Sequence, residues 1–258
     1  IIRKMTLAPI IILNNKTIEK ERELIYAGAD CVMDINSSAE EINLHLFSLL
    51  RRTKEWKDYK KLSESTFNIQ AQTYDTDKNG KHARNLYGHI IDILSPLQFS
   101  EIIDVGCGTG EILSIIRKLH PTVSLYGIDI SKEMLKRAKE KRIDDVHFYL
   151  GDAERLPFEN GKFNLLICTD SFHHYPNPQI AIDEFYRVVQ NDGYLLLADY
   201  WKPFPLRQLM NIFIPFSNEG DVKVYSKQEI IHYLRNSGFK NIYYSRIDYS
   251  GYCTLAQK

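Results

Sequence analysis

The sequence predicts an α/β protein built on a doubly wound, mostly parallel sheet. Apolar runs of strand length recur at Ile102–Val105, Val123–Ile128, Val146–Leu150, Phe163–Cys168 and Gly193–Ala198. Stretches between them carry the apolar spacing of helices, as in Ile112, Leu113, Ile115 and Ile116. Acids stand in or at the end of these runs, at Asp104, Asp129, Asp152, Asp170 and Asp199. Strands alternating with helices make parallel βαβ units, and ligands of open α/β sheets bind beyond the carboxyl ends of the strands, where these acids lie. A chain of 258 residues can fill one domain of ordinary size and something smaller.

Taken in order, the first elements form a separate group. Pro9–Leu13 reads as a buried strand, Thr17–Ala27 as a helix closed by Gly28, Cys31–Ile35 as a second strand and Ala39–Arg52 as an amphipathic helix. This order, with Ala27-Gly28-Ala29-Asp30 and Leu49-Leu50-Arg51-Arg52, resembles the last two βα units of a response-regulator receiver domain. The resemblance implies a degenerate half-domain over residues 1–55. Asn14 stands where that family keeps Thr or Ser, and Ile35-Asn36 where it keeps Lys-Pro, so no phosphorylation switch is expected within it. Two strands alone seldom make a stable sheet. The segment is therefore expected to pack on the other domain, to be completed by a protein partner, or to continue into upstream chain, since the sequence opens on Ile1. Residues 56–66 read as a helical linker, and Arg51–Lys61, which joins the two parts, mixes Lys54, Lys57, Lys60 and Lys61 with Glu55 and Asp58, a solvated helix face and not a nucleic-acid patch.

The stretch Asp104-Val105-Gly106-Cys107-Gly108-Thr109-Gly110 sits on the first strand-to-helix turn of the larger domain. Its glycines let the backbone turn tightly and approach a ligand where a Cβ would clash. The spacing is G-x-G-x-G, and Glu111 occupies the place of the last glycine of a dinucleotide fingerprint, which disfavours a nicotinamide cofactor. No Gly-Lys-Ser/Thr follows, so this is not a P-loop. Asp129, at the end of the next strand, is at the distance where a nucleotide fold sets its ribose-binding carboxylate. Asp152 ends a third strand and can accept from an exocyclic amine. One such acid is commonly a helix cap. The set, with the glycine loop, reads as a cofactor site.

With these residues on the page, residues 67–258 resemble a class I S-adenosylmethionine-dependent methyltransferase of the small-molecule, ubiquinone-biosynthesis-like type. The match runs through Phe67–Asp75, the glycine loop, Asp129, Gly151–Phe158, Ser171-Phe172-His173-His174, Glu184–Val189 and Ser237-Gly238-Phe239. It implies a seven-stranded sheet with the last strand antiparallel, and S-adenosyl-L-methionine as cofactor. The chain departs from the family's Lys-Pro-Gly-Gly turn at Gln190-Asn191-Asp192-Gly193, an equally good turn former. By resemblance, Asp104 and the loop Gly106, Cys107, Gly108 and Gly110 hold the methionine end, and Tyr74 reaches its carboxylate. Asp129 takes the ribose hydroxyls, Ile130 lies against the adenine, Asp152 accepts from its amine and the backbone of Ala153 meets a ring nitrogen.

Methyl transfer is an in-line displacement at an activated carbon, so orientation carries much of the catalysis and a base is needed only for a protonated acceptor. Asp170, His173 and His174 follow the fourth strand of the domain and are the candidates, with loop-shaping hydrogen bonds as their structural alternative. Thr169-Asp170-Ser171-Phe172 replaces the Asn/Asp-Pro-Pro-aromatic motif of amide and adenine amino methylation, and argues against those reactions. Asp199, Tyr200 and Trp201 are expected on the acceptor side. The apolar, proline-broken segment Trp201–Phe216 is expected to cover the acceptor pocket, or else to pack on the sheet as an ordinary helix. A small, partly apolar acceptor is the expected substrate. The alternative is a regulatory module that binds S-adenosylmethionine as a signal without transferring its methyl group.

Composition bounds the rest. The 33 basic and 33 acidic residues cancel, so no global field draws the protein to nucleic acid or anionic lipid. Cys31, Cys107, Cys168 and Cys253 have neither metal nor disulfide spacing, no metal is expected, and a reduced cytoplasm is the simplest setting. Neither a signal peptide nor a membrane span is apparent.

Overall fold

The computed structural model describes residues 11–15, 21, 23–25, 29, 31–42, 45 and 57–258. They fall in two compact units, residues 1–58 with 212–218, and residues 59–211 with 219–258. In the first unit, β1 (Ile11–Asn14) and β2 (Cys31–Asp34) pair in parallel, Ile11 opposite Cys31 and Asn14 opposite Asp34. Val32 and Met33 are buried. Ser38 and Glu41 bond reciprocally, the Ser38 amide donating to the Glu41 carboxylate and the Glu41 amide to the Ser38 hydroxyl, where a helix begins at residue 39. The expected strand residues Pro9 and Ile10, most of the Thr17–Gly28 helix and the Leu46–Arg52 end of the second helix lie outside the described residues.

The second unit is a seven-stranded sheet in the order β5-β4-β3-β6-β7-β9-β8. Its strands are β3 (Glu101–Val105), β4 (Ser124–Asp129), β5 (Val146–Leu150), β6 (Phe163–Thr169), β7 (Val189–Tyr200), β8 (Lys240–Arg246) and β9 (Gly251–Gln257). β9 pairs antiparallel with both β7 and β8, and the pairings among β3 to β7 are parallel, as expected. Helices α1 (Tyr59–Gln70), α2 (Lys81–Leu94), α3 (Glu111–Leu119), α4 (Lys132–Glu140), α5 (Pro178–Val188), α6 (Leu206–Phe213) and α7 (Lys227–Ser237) complete the order of elements. Residues 59–66 of the expected helical linker are helical and open α1, where Tyr59 and Ser63 bury their side chains.

Both faces of the sheet are covered, which is why its central strands are apolar throughout and not alternating. Leu166, Cys168, Leu195 and Leu197 join Phe172, Ile182, Phe185 and Leu234 in one core. Their neighbours Leu165, Ile167, Leu196 and Ala198 point the other way, onto Leu86, Ile90, Leu113 and Ile116. The Gln190–Gly193 segment is not a free turn: it lies inside β7, where a register shift against β6 and a left-handed Asp192 (φ 63°) absorb the extra residues. Chain order runs outward from β3 through β4 and β5, and outward on the other side from β6 through β7. The switch point between β3 and β6 opens a crevice at the strand carboxyl ends.

α6 departs from one of the two expectations for the segment that contains it. None of its residues is buried, so it does not pack on the sheet as an ordinary helix. Among the described residues, no helix is long and apolar enough to cross a membrane.

Candidate functional site

The glycine loop is held from below by the strand next to it. The amides of Gly106 and Cys107 donate to the Ile128 carbonyl at 2.8 and 3.1 Å, and the Gly108 amide donates to Asp129 Oδ2 at 2.8 Å. Gly106, Gly108 and Gly110 have φ of 76°, 51° and 73°, the left-handed region that side chains resist. A Cβ on Gly106 would stand 2.1 Å from Ser171 Oγ, whereas one on Gly108 would meet nothing within 4 Å. The loop therefore closes against β6 at one end and faces open space at its middle.

Two adjoining cavities occupy the crevice and share Phe67, Gly106, Asp129 and Ser171. One is lined by Ile128, Ile130, Gly151, Asp152, Ala153, Tyr175 and His174, together with Lys60 and Ser63 of α1. The other is lined by Tyr74, Ala83, Tyr87, Cys107, Gly108, Thr109, Thr169 and Asp170. Of the residues expected from sequence, Tyr74, Gly106, Cys107, Gly108, Asp129, Ile130, Asp152, Ala153, Asp170 and His174 are brought to the cavity walls. Asp104, Gly110 and His173 are not on either wall.

Each acid is held differently. Asp129 accepts from the Ser131 and Gly108 amides at 2.8 Å each, while burial pushes its pKa up to about 6 against those bonds. The helix-capping reading falls to its neighbour, since the Ser131 hydroxyl accepts from the Met134 amide. Asp152 accepts from the Glu154 amide at 2.9 Å, and its other oxygen is 2.5 Å from Lys60 Nζ, which also sits 2.6 Å from Glu154. Burial works against the Lys60 charge, but the two carboxylates outweigh it and raise its pKa. Asp104 lies beneath the loop with Oδ1 buried and without a hydrogen-bond partner. Burial, then the nearby Asp129 charge, pushes its pKa up to about 8, so the group is protonated at neutral pH.

Asp170 lies in the left-handed region (φ 51°) just past β6 and is anchored by His82, a residue not singled out in the sequence. His82 Nδ1 is 2.5 Å from Asp170 Oδ1, and Nε2 is 3.0 Å from the Ser250 carbonyl. Both partners are acceptors, so both ring nitrogens carry protons; burial opposes that charge, but Asp170 outweighs it and the His82 pKa is raised. His82 also packs edge-on against Tyr200, with ring centroids 5.0 Å apart.

The two adjacent histidines separate in role. His173 Nδ1 is 2.6 Å from Asp199 Oδ1, its amide donates to Asp199 Oδ2 at 2.9 Å, and Nε2 lies 3.7 Å from Asp221. Burial disfavours its charge, yet Asp199 and then Asp221 outweigh burial and hold the imidazole pKa at about 10. The ring is thus held as a cation between two carboxylates. Asp199, expected on the acceptor side, is 1% exposed and engaged in this pair. His174 is the reverse: burial, then the charge on His173, lowers its pKa to about 4, so it faces the cavity neutral. Its Nδ1 lies 3.4 Å from both Ser63 Oγ and Asp221 Oδ1. Ligand atoms of His173, His174 and Asp221 come within 4.8 Å of one another, as do those of Asp170, His173 and Asp199.

Cys107 is buried and burial pushes its thiol pKa up, which fits a small filler and no nucleophile. Sequence reading passed over Ser63 and Asp221 and put Lys60 on a solvated face, whereas Lys60 meets Asp152 and Glu154 at the cavity wall. Lys60, Ser63 and Phe67 recur at the spacing of one helix face, a signal that could have placed all three on a single wall. Asp221 and His82 gave no such signal, because their partners come from remote elements.

The donor set suits S-adenosylmethionine, which carries a sulfonium and an ammonium but no phosphate: Asp152 lines one cavity, Asp170 the other and Asp129 both, and no Arg among the described residues lines either. Comparison with known proteins agrees. Residues 99–239 match the methyltransferase domain family. An uncharacterized methyltransferase of Bacillus subtilis, YcgJ, is 30% identical over 146 residues, covering 55% of this chain and 56% of that protein. The Campylobacter jejuni ubiquinone/menaquinone biosynthesis C-methyltransferase UbiE is 28% identical over 178 residues, covering 58% of this chain and 74% of that one. The crystal structure of YcgJ superposes with a TM-score of 0.54 at 26% identity, over 64% of this chain and 71% of the other. The aligned stretch thus spans about half of the Bacillus relative. The family model covers more than half of the chain, and the chain therefore belongs to the methyltransferase domain family.

Proposed function

We propose that the chain transfers a methyl group from S-adenosylmethionine to a small, partly apolar acceptor. The observation that carries this reading is the convergence of the glycine loop, Asp129, Asp152 and Asp170 on two adjoining cavities at one topological switch point. The cofactor supplies a methyl carbon activated by positive sulfur. The chain's task is to hold and orient its partners. Asp129, braced by two amides, takes the ribose hydroxyls; Asp152 and the Ala153 backbone meet the adenine, with Ile130 against the ring. The Gly106–Gly110 loop, with the Cys107 backbone near the ammonium and protonated Asp104 beneath it, holds the methionine end, and Tyr74 meets its carboxylate. Neutral His174 and His82-anchored Asp170 face the acceptor; His173 serves as a structural cation.

The relatives named for quinone methylation support an apolar acceptor. Residues 1–55 remain read as a degenerate half-receiver, a reading supported by the parallel β1–β2 pair. The test is calorimetric titration of S-adenosylmethionine and its demethylated product into the wild type and Asp129→Asn. Loss of a charge-assisted bond to ribose should weaken both ligands about ten-fold or more. Unchanged affinity in a folded variant removes Asp129 from the site, and no affinity in the wild type ends the reading.

A further inference from the structure

A surface helix of a globular protein normally turns its apolar stripe inward. α6 and the residues before it do the reverse. Asn211, on the polar side of α6, is the anchor: its Nδ2 donates to the Val224 carbonyl at 3.0 Å and its Oδ1 accepts from the Val224 amide at 2.8 Å. The large apolar side chains face outward instead, with Phe204 77%, Leu206 45% and Leu209 52% exposed. Isolated exposed leucines are ordinary, but a run of them on a helix held by its polar face is not.

The surroundings of this face are basic. Arg246 lies over the Trp201 ring at 4.8 Å, Lys202 over Tyr200 at 4.9 Å and Lys227 over Tyr244 at 5.2 Å. Arg207 and Arg246 both act on the Tyr244 phenol, which places them around one ring. Lys202, Arg207, Lys227 and Arg246 have no carboxylate partner among the described residues, unlike neighbouring Lys223, which pairs with Glu229. Aromatic rings flank the patch: the Trp201 amide donates to the Ser250 carbonyl, and Tyr249 beside Ser250 is 91% exposed. Outward apolar groups, uncompensated cations and interfacial aromatics together match an anionic bilayer, which offers acyl chains beneath a layer of negative headgroups.

We propose that residues 201–211, with Lys227 and Arg246, form a docking surface for an anionic lipid membrane. Methyl transfer is not required for this association. The test is sedimentation of the full chain with vesicles of phosphatidylcholine alone and of phosphatidylcholine mixed equally with phosphatidylglycerol. The chain should pellet with the mixed vesicles, far less with the neutral ones, and release as salt is raised. Lys202→Gln with Arg207→Gln should lower partition onto anionic vesicles about thirty-fold. Phe204→Ser with Leu209→Ser should lower it about ten-fold or more. Unchanged titration of S-adenosylmethionine into each variant shows that the fold is kept. No pelleting with mixed vesicles, or equal pelleting of the variants, overturns the proposal. A concentration-dependent dimer dissolved by Leu209→Ser, without vesicle binding, overturns it in favour of a second copy of the chain.

Discussion

Replacing His173 by Gln should destabilise the fold more than it disturbs the cofactor, and the structure gives the size of the effect. The imidazolium is wedged between Asp199, 1% exposed, and Asp221. Glutamine can still donate one hydrogen bond to Asp199 but leaves that buried carboxylate without its paired cation, with only the more distant His82 charge acting on it, a change that costs up to roughly 3–5 kcal/mol. The pKa points the same way. The folded value of about 10 lies above the 6.5 of an unpaired imidazole, a gap that corresponds to no more than about 5 kcal/mol. Because the folded pKa is the higher one, the proton stabilises the native state fully below pH 6.5 and progressively less as pH rises through about 10. Urea unfolding at pH 6, 8 and 10 should show the wild type losing stability across that window. His173→Gln should start lower and lose less. A variant as stable as the wild type at pH 6, or with the same decline, would refute the assignment of His173 as a structural cation. If turnover collapses while stability holds, His173 belongs to the chemistry.

Three further outcomes follow from particular contacts. Lys60→Met frees the outer oxygen of Asp152, which the lysine holds at 2.5 Å, and should tighten S-adenosylmethionine up to about five-fold, the range of a partly exposed ion pair; titration calorimetry showing weaker binding would instead make Lys60 a cofactor contact. Gly106→Ala places a Cβ against Ser171 in a left-handed residue, so cofactor affinity and melting temperature should both fall, with about 1–2 kcal/mol from the backbone alone; wild-type binding by this variant would show that the loop has room to move. Ser226→Ala removes the reciprocal bonds with Glu229 that start α7 and should cost about 0.5–2 kcal/mol in thermal unfolding without changing cofactor affinity. No change in melting temperature would mean that packing alone fixes that helix end.

Local pattern determined much of this protein. Strand existence, the turn glycines and the strand-end acids depend on nearest neighbours in sequence, so Gly106, Asp129 and Asp152 could be assigned to one sheet edge before any coordinates. Boundaries were less legible: the Asn191-Asp192-Gly193 turn former was absorbed into β7 as an irregularity, because pairing with β6 continues on both sides of it, Phe163 opposite Val189 and Leu165 opposite Tyr194. Tertiary structure alone decided charge. His173 and His174 are adjacent and identical as residues, yet one is held near a pKa of about 10 by Asp199 from β7 and the other near about 4 by burial and its neighbour's charge. The same holds for His82, which meets Asp170 across 88 residues. Electrostatic interaction depends on distance and on exclusion of water, and neither is written in the spacing of the chain. The orientation of α6 follows the same rule: its amphipathic pattern is visible in sequence, but which side faces water was set by where Asn211 found Val224.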